Sequence, residues 1–178
     1  MSKRAYLIVT VALLALGAGL FAGWRAQAPA SLSPEQAQRA AETLFVSTLP
    51  DLEGNNRTFA QWRGKVLIVN FWATWCPPCR VEIPQFIKVQ EKYRSRGLVL
   101  VGVAMDKKDA VRTYADEIGI NYPVLLGDLE AMELSRKAGN RFGALPFTLI
   151  IDRTGRIIAT ELGGLTQAKL EPIIGPLL

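Results

Sequence analysis

The sequence predicts an α/β domain, a central mixed β-sheet with helices on both faces, preceded by one N-terminal transmembrane helix. Three observations carry this. Val66–Phe71 and Leu98–Ala104 are nearly continuous apolar runs, the pattern of strands covered on both faces. Phe147–Ile151 and Ile157–Leu162 are two shorter strand signals joined by Asp152-Arg-Thr-Gly155, a hairpin turn. Amphipathic stretches alternate with the strands, giving the order strand–helix–strand–helix–strand–helix–strand–strand–helix, which a sheet with helices on both faces accommodates.

Met1-Ser-Lys-Arg precedes Ala5–Trp24, an uncharged run closed by Arg25. As a helix it would rise about 30 Å, the hydrocarbon thickness of a bilayer. Lys3 and Arg4 should stay on the cytoplasmic side, leaving the rest of the chain outside, with Trp24 at the far interface. Residues 1–25 are therefore expected to be a signal anchor. A cleaved signal peptide is the rival, with Ala26-Gln-Ala28 as a small-x-small site. The length of the run and Pro29 after the cut favour retention. Residues 26–44 read as a linker that includes a short helix: Ser33 caps, Pro34 takes the first turn and Gln36 completes a capping box. Residues 45–178 form the main domain.

Within that domain, Glu-Gly-Asn-Asn and Arg-Gly between Thr48 and Gly64 suggest a hairpin or loops. Ile83, Phe86, Ile87 and Tyr93 mark one side of an amphipathic stretch after the first strand. Val111, Tyr114, Ala115 and Ile118 mark another helix. Tyr122–Leu126 is a further strand candidate and Glu130–Ala138 a further helix. After Thr166, Leu170, Ile173, Ile174 and Leu177 keep helical spacing, and Pro172 and Gly175-Pro176 should make that helix short.

Composition removes several function classes. The net charge is +5, but the basic residues form no run or stripe, so nucleic-acid binding has no support. The chain has no histidine, which excludes Ser–His and Cys–His nucleophile pairs and histidine-ligated metals. Its two cysteines are Cys76 and Cys79. Two thiolates fall short of a mononuclear zinc site, and four-cysteine clusters would need a second chain. No metal is expected. An exported, oxidising compartment leaves such a pair free to cycle or stay oxidised.

Trp75-Cys76-Pro77-Pro78-Cys79 follows directly on the Val66–Phe71 strand. Cys76 should sit at a strand-to-helix junction, where free amides and the positive helix end favour its thiolate. Cys79, one turn further in, would resolve a mixed disulfide formed at Cys76. The competing reading is a structural disulfide, but so small a loop removes little chain entropy.

Val69-Asn-Phe-Trp-Ala-Thr-Trp-Cys-Pro-Pro-Cys-Arg80, with Glu82, Pro84 and the later Pro146, resembles the active-site segment of thioredoxin-like proteins, and most of all the exported TlpA/ResA-like branch. The resemblance runs from about Thr48 to the C-terminus. It implies a thioredoxin-like fold with an N-terminal extension and a central insertion, here about Lys107–Arg141, which is expected to bear on partner choice. It implies that Leu145-Pro146 is a cis-proline loop beside the cysteines that receives substrate backbone, framed by Gly143 and Thr148. It implies that Glu82 handles protons for the thiols, as a third catalytic residue beside Cys76 and Cys79. Asn70 stands where classical thioredoxins carry an aspartate, which makes Glu82 the stronger candidate. Trp72 is expected in packing. Trp75 is expected at the active-site wall, and Pro77 and Pro78 join Trp75, Leu145 and Pro146 in substrate binding.

The implied activity is an extracytoplasmic thiol–disulfide oxidoreductase. The first expectation is a dithiol reductant of exported proteins such as apocytochrome c or metal-site assembly proteins. The redox-active disulfide would be its only redox group, with no separate cofactor, and a membrane thiol-transfer protein would donate electrons. Three alternatives use the same residues. A disulfide-donating oxidase or isomerase differs only in relative potential. A thiol peroxidase would want a hydroxyl where Ala73 stands. A copper or haem assembly chaperone of the related branch uses a wider cysteine spacing and a histidine, and both are absent.

Overall fold

The computed structural model describes residue 13 and residues 32–178. Apart from Leu13, the apolar run Ala5–Trp24, the Ala26-Gln-Ala28 sequence and the tether through residue 31 lie outside the described residues. Among the described residues no helix is long and apolar enough to cross a membrane.

Helix α1 (Pro34–Val46) begins with the capping box expected from sequence. Gln36 N–H donates to Ser33 Oγ at 3.2 Å, and Ser33 N–H donates to Gln36 Oε1 at 2.9 Å. The helix continues two residues beyond Leu44 because Leu44 and Phe45 both belong to its buried face. Strands β1 (Thr48–Pro50) and β2 (Asn56–Thr58) form an antiparallel hairpin. Asp51 ties its turn: Oδ1 accepts from Glu53 and Asn55 amides, and Oδ2 accepts from Arg57 Nε at 2.8 Å.

The main sheet has five strands in the order β5-β4-β3-β6-β7. Strand β3 (Val66–Trp72) is central and buried at every position. It runs parallel to β4 (Leu98–Ala104) and antiparallel to β6 (Phe147–Ile151). β5 (Val124–Leu126) extends the parallel side, and β7 (Ile157–Leu162) the antiparallel side. The sheet is mixed, as the sequence predicts. β5 is shorter than Tyr122–Leu126 because Pro123 has no N–H to give, and its carbonyl accepts from Gly102 at 2.9 Å. β3 runs one residue past Phe71, since Met105 N–H donates to Trp72 O at 2.8 Å. In the β6–β7 turn, Gly155 supplies the positive φ that closes the hairpin.

Alternation along β3 sends residues to two cores. Val66, Ile68 and Trp72 pack against α2 (Pro77–Tyr93), α3 (Lys108–Ile118) and α5 (Gln167–Ile174) through Ile83, Phe86, Val111, Tyr114, Leu170 and Ile174. Leu67, Val69 and Phe71 pack against α1 and α4 (Leu129–Lys137) through Leu44, Phe45, Ala131 and Leu134. Each large aliphatic or aromatic side chain buried this way contributes about 1.5–3 kcal/mol. The two layers hold β3, and with it the start of α2, from both sides. Helix α4 starts one residue earlier than Glu130 because Asp128 caps it, accepting from Glu130 N–H. Helix α5 is short, capped by Thr166 and ended by the 3-10 turn Gly175–Leu177.

Candidate active site

β3 delivers the chain to the C-terminal edge of the sheet, and Ala73–Trp75 carries it to α2. Cys76 is the N-cap of α2, with extended backbone. Pro77 and Pro78 occupy the first two helical positions, where an amide would have no helical acceptor. Cys79 therefore carries the first free N–H of the helix, and it donates to Cys76 Sγ at 3.4 Å. The two sulfurs are joined in a disulfide with Cα atoms 5.3 Å apart. In the reduced protein the same amide and the helix end favour a thiolate on Cys76. Both cysteines are buried, while Trp75, Pro77, Pro78 and Val81 stand exposed around them.

Glu82 lies one turn beyond Cys79 and is 1 % exposed. Its Oε1 accepts from Asn70 Nδ2 at 2.8 Å, and its Oε2 accepts from Leu165 N–H at 2.8 Å. Asn70 Nδ2 also donates to Thr148 Oγ1 at 3.0 Å. Burial pushes the Glu82 carboxyl up to about 7, against the pull of those two hydrogen bonds. A group poised there is half-ionised near neutrality, which suits proton transfer to and from a thiol. Glu82 also forms part of the wall of a hollow of about 200 Å³, with Pro78, Val81, Gln85, Leu165 and Thr166. Among the described residues, no hydrogen bond joins Glu82 to either sulfur.

The Leu145–Pro146 bond is cis. The loop before it is held by Asn140, which accepts from Ala144 N–H and donates to Ala144 O. Gly143, at φ 62°, gives the turn that precedes it. Pro146 O accepts from Gly163 N–H at 2.8 Å, and a Cβ at Gly164 would lie 3.9 Å from Pro78 Cβ. The β7–α5 loop thus links the proline loop to the start of α2. Among the described residues, the Leu145 amide and carbonyl have no hydrogen-bond partner, so this short edge is free to pair.

Trp72 is fully buried and Trp75 is 67 % exposed, separating a packing role from a surface one. Four residues that sequence reasoning did not assign complete the site. Asn70 anchors Glu82, and the Leu165 amide holds its other oxygen. Asp106 and Arg80 hold Thr74. A polar residue inside the apolar run Val66–Trp72 was a legible sign of a buried partner. Asp106 and Leu165 gave none, because their contacts cross from loops distant in sequence. Among the described residues there is no cluster of three or more metal-ligating side chains.

The sequence profile described as the AhpC/TSA family matches residues 41–160. The thiol-disulfide oxidoreductase ResA of Halalkalibacterium halodurans is 30% identical over 134 residues, covering 75% of this chain and 74% of that protein. The ResA of Bacillus anthracis is 32% identical over 130 residues, covering 71% and 70%. Among solved structures, a thiol:disulfide interchange protein of the thioredoxin family from Chlorobium tepidum is 32% identical with a TM-score of 0.68, covering 74% of this chain and 92% of that one. A secreted thiol-disulfide isomerase from Corynebacterium glutamicum, at 22% identity and a TM-score of 0.69, covers 75% and 84% and speaks to the fold alone. The thioredoxin-like fold, the cysteine pair at the helix start and these relatives agree: the chain belongs to the AhpC/TSA family and is a ResA-like thiol–disulfide oxidoreductase.

Proposed function

We propose that the chain is a dithiol reductant of exported proteins, anchored by residues 1–25 with its catalytic domain on the outer face of a bacterial cytoplasmic membrane. The observation that carries the redox reading is the Cys79 amide donating to Cys76 Sγ at the start of α2. The anchor rests on Ala5–Trp24 and on Lys3 and Arg4.

In this reading the Cys76 thiolate attacks a sulfur of the partner's disulfide. A Cys76–partner disulfide forms as the partner's other sulfur leaves as thiolate and takes a proton. The Cys79 thiol passes its proton to Glu82, attacks Cys76 Sγ, and the Cys76–Cys79 disulfide forms as the partner's second thiolate departs. The partner gains two electrons and the pair loses two. The partner's extended segment pairs with the free edge at Leu145 and rests on Trp75, Pro77, Pro78 and Pro146. A membrane thiol-transfer protein restores the dithiol, and no cofactor beyond the cysteine pair takes part. Apocytochrome c and metal-site assembly proteins are the partners the family resemblance suggests. A peroxidase reading draws no support, since Ala73 lacks the hydroxyl and Thr74 Oγ1 is committed to Asp106.

Direction is tested by the equilibrium reduction potential of the purified chain, read by tryptophan fluorescence in glutathione or dithiothreitol buffers. A value near that of thioredoxin, about −270 mV, supports a reductant. A value near about −120 mV means the reduced form is the stable one, and the function becomes disulfide donation.

A further inference from the structure

Thr74 stands two residues before the Cys76 sulfur and directly before the exposed Trp75. It has left the sheet, so none of its polar groups has a ladder partner. All three are nevertheless tied, and to two different elements. Its N–H donates to Asp106 Oδ2 at 3.2 Å, and its hydroxyl donates to the same oxygen. Its carbonyl accepts from Arg80 Nη1 at 3.3 Å. Asp106 is fixed in turn by the Lys107 amide on Oδ1 at 2.7 Å. The Arg80 guanidinium lies over the Tyr114 ring of α3, 4.6 Å from its centroid. Burial raises the Asp106 carboxyl, but the hydrogen bonds from Thr74 and Lys107 outweigh it and hold the group below the ordinary aspartate range.

Among the described residues, no hydrogen bond restrains the Trp75 side chain. It is 67 % exposed, and where the ring is presented follows the position of the backbone that carries it. Trp75 and Thr74 also line an open hollow of about 450 Å³, together with Arg80, Thr113, Tyr114 and Glu117 among others. We propose that Asp106 is a positioning residue for partner docking: with Arg80 it clamps Thr74, and so fixes the backbone that presents Trp75 to the partner beside the attacked disulfide. The inference rests on the reading of Trp75 as a docking surface. It gives the β4–α3 segment a direct route to partner choice. An incoming chain that must order Trp75 for itself would give up binding energy, and the clamp removes that cost in advance.

The test uses the full chain, with disulfide-bonded insulin as the protein substrate and dithiothreitol as the reductant that restores the dithiol after each turnover. On the reduced chain freed of dithiothreitol, iodoacetamide serves as a small probe of Cys76 nucleophilicity. Asp106→Ala and Thr74→Val should each raise KM for insulin about tenfold, the effect of losing a charge-assisted hydrogen bond, with kcat little changed. Thr74→Ser keeps the hydroxyl and should restore the KM. The pH profile of iodoacetamide alkylation should be that of the unsubstituted chain in all three. Should Trp75→Ala raise KM while Asp106→Ala and Thr74→Val leave it unchanged, the clamp is overturned and the docking role of Trp75 stands. Should Trp75→Ala leave KM unchanged, the docking reading fails and takes the clamp with it. A shift of the alkylation profile in Thr74→Val would mean that the contact acts on the sulfur, and would also overturn the proposal.

Discussion

Asn70 Nδ2 donates to Glu82 Oε1 at 2.8 Å, joining the central strand to the helix that carries both cysteines. The pair is wholly buried, and Asn70 spends the same amide on Thr148 of the neighbouring strand. A neutral residue therefore does the orienting while the carboxyl, lifted to about 7, keeps the proton. Removing the charge, the donor or the distant supports of this arrangement has separate consequences.

Glu82→Gln tests the charge. The carboxyl sits at about 7 in the folded chain against an ordinary 4.5, so the folded state holds its proton more tightly than the unfolded state. The resulting stability is complete below pH 4.5 and is lost as pH rises through about 7. Linkage bounds that loss at roughly 3 kcal/mol. Urea unfolding of the oxidised protein should show it in the parent chain and a flat profile over the same window in Glu82→Gln. Asn70 Oδ1 has no partner among the described residues, so turning the Asn70 amide lets it meet the new amide group. In the reduced protein, the alkylation profile should lose its inflection near pH 7; an unchanged profile would remove Glu82 from thiol proton handling.

Asn70→Leu tests the donor. Glu82 would lose a hydrogen bond that favours its ionised form, so its carboxyl should titrate above its present value. Leaving Glu82 Oε1 and Thr148 Oγ1 short of a partner should cost about 1–3 kcal/mol. Carbon-detected NMR titration of the Glu82 carboxyl reads the first effect, and urea unfolding the second. Asn70→Asp should instead place two carboxyls in hydrogen-bond contact, which titrate as one coupled pair.

Acid unfolding should depend on the turn aspartates. Burial raises the Asp51 carboxyl, but hydrogen bonds from Arg57, Asn55 and Glu53 outweigh it and bring it to about 2. A lowered carboxyl gives stability that is present above its ordinary value near 3.8 and is lost as pH falls through its folded value. Asp152 is lowered as well: burial raises it, and bonds from Thr154 and Arg156 outweigh the rise. Asp51→Asn should shrink the drop in urea midpoint between pH 5 and pH 2. An identical drop in both proteins would show that the β1–β2 turn carries none of the acid sensitivity.

Phe45→Ala separates stability from chemistry. Phe45 packs α1 into the core opposite the cysteines, with the Arg63 guanidinium 4.0 Å from its ring centroid. Truncation in a close-packed core should cost about 3–5 kcal/mol, measured by urea unfolding. The iodoacetamide rate of reduced Cys76 at neutral pH should hold, because α2 and its cap pack in the other layer. A rate that falls with stability would mean that the two layers are coupled at the site.

The sequence by itself determined the order of elements, the mixed sheet and the place of the cysteine pair at a helix start. Those depend on local pattern: continuous apolar runs for β3 and β4, a turn signal before β7, and prolines where a first helical turn has no amides to lose. It also marked Glu82 as the carboxyl to watch, although only through family resemblance. The tertiary structure decided what surrounds that carboxyl. Leu165 reaches it from a loop 83 residues away, and Asp106 reaches Thr74 across 32. Neither contact has a sequence period or spacing, because it arises where loops converge at the edge of a sheet. The same convergence sets the proton affinity of Glu82: desolvation depends on every element packed around the group, and no stretch of the chain contains that information alone.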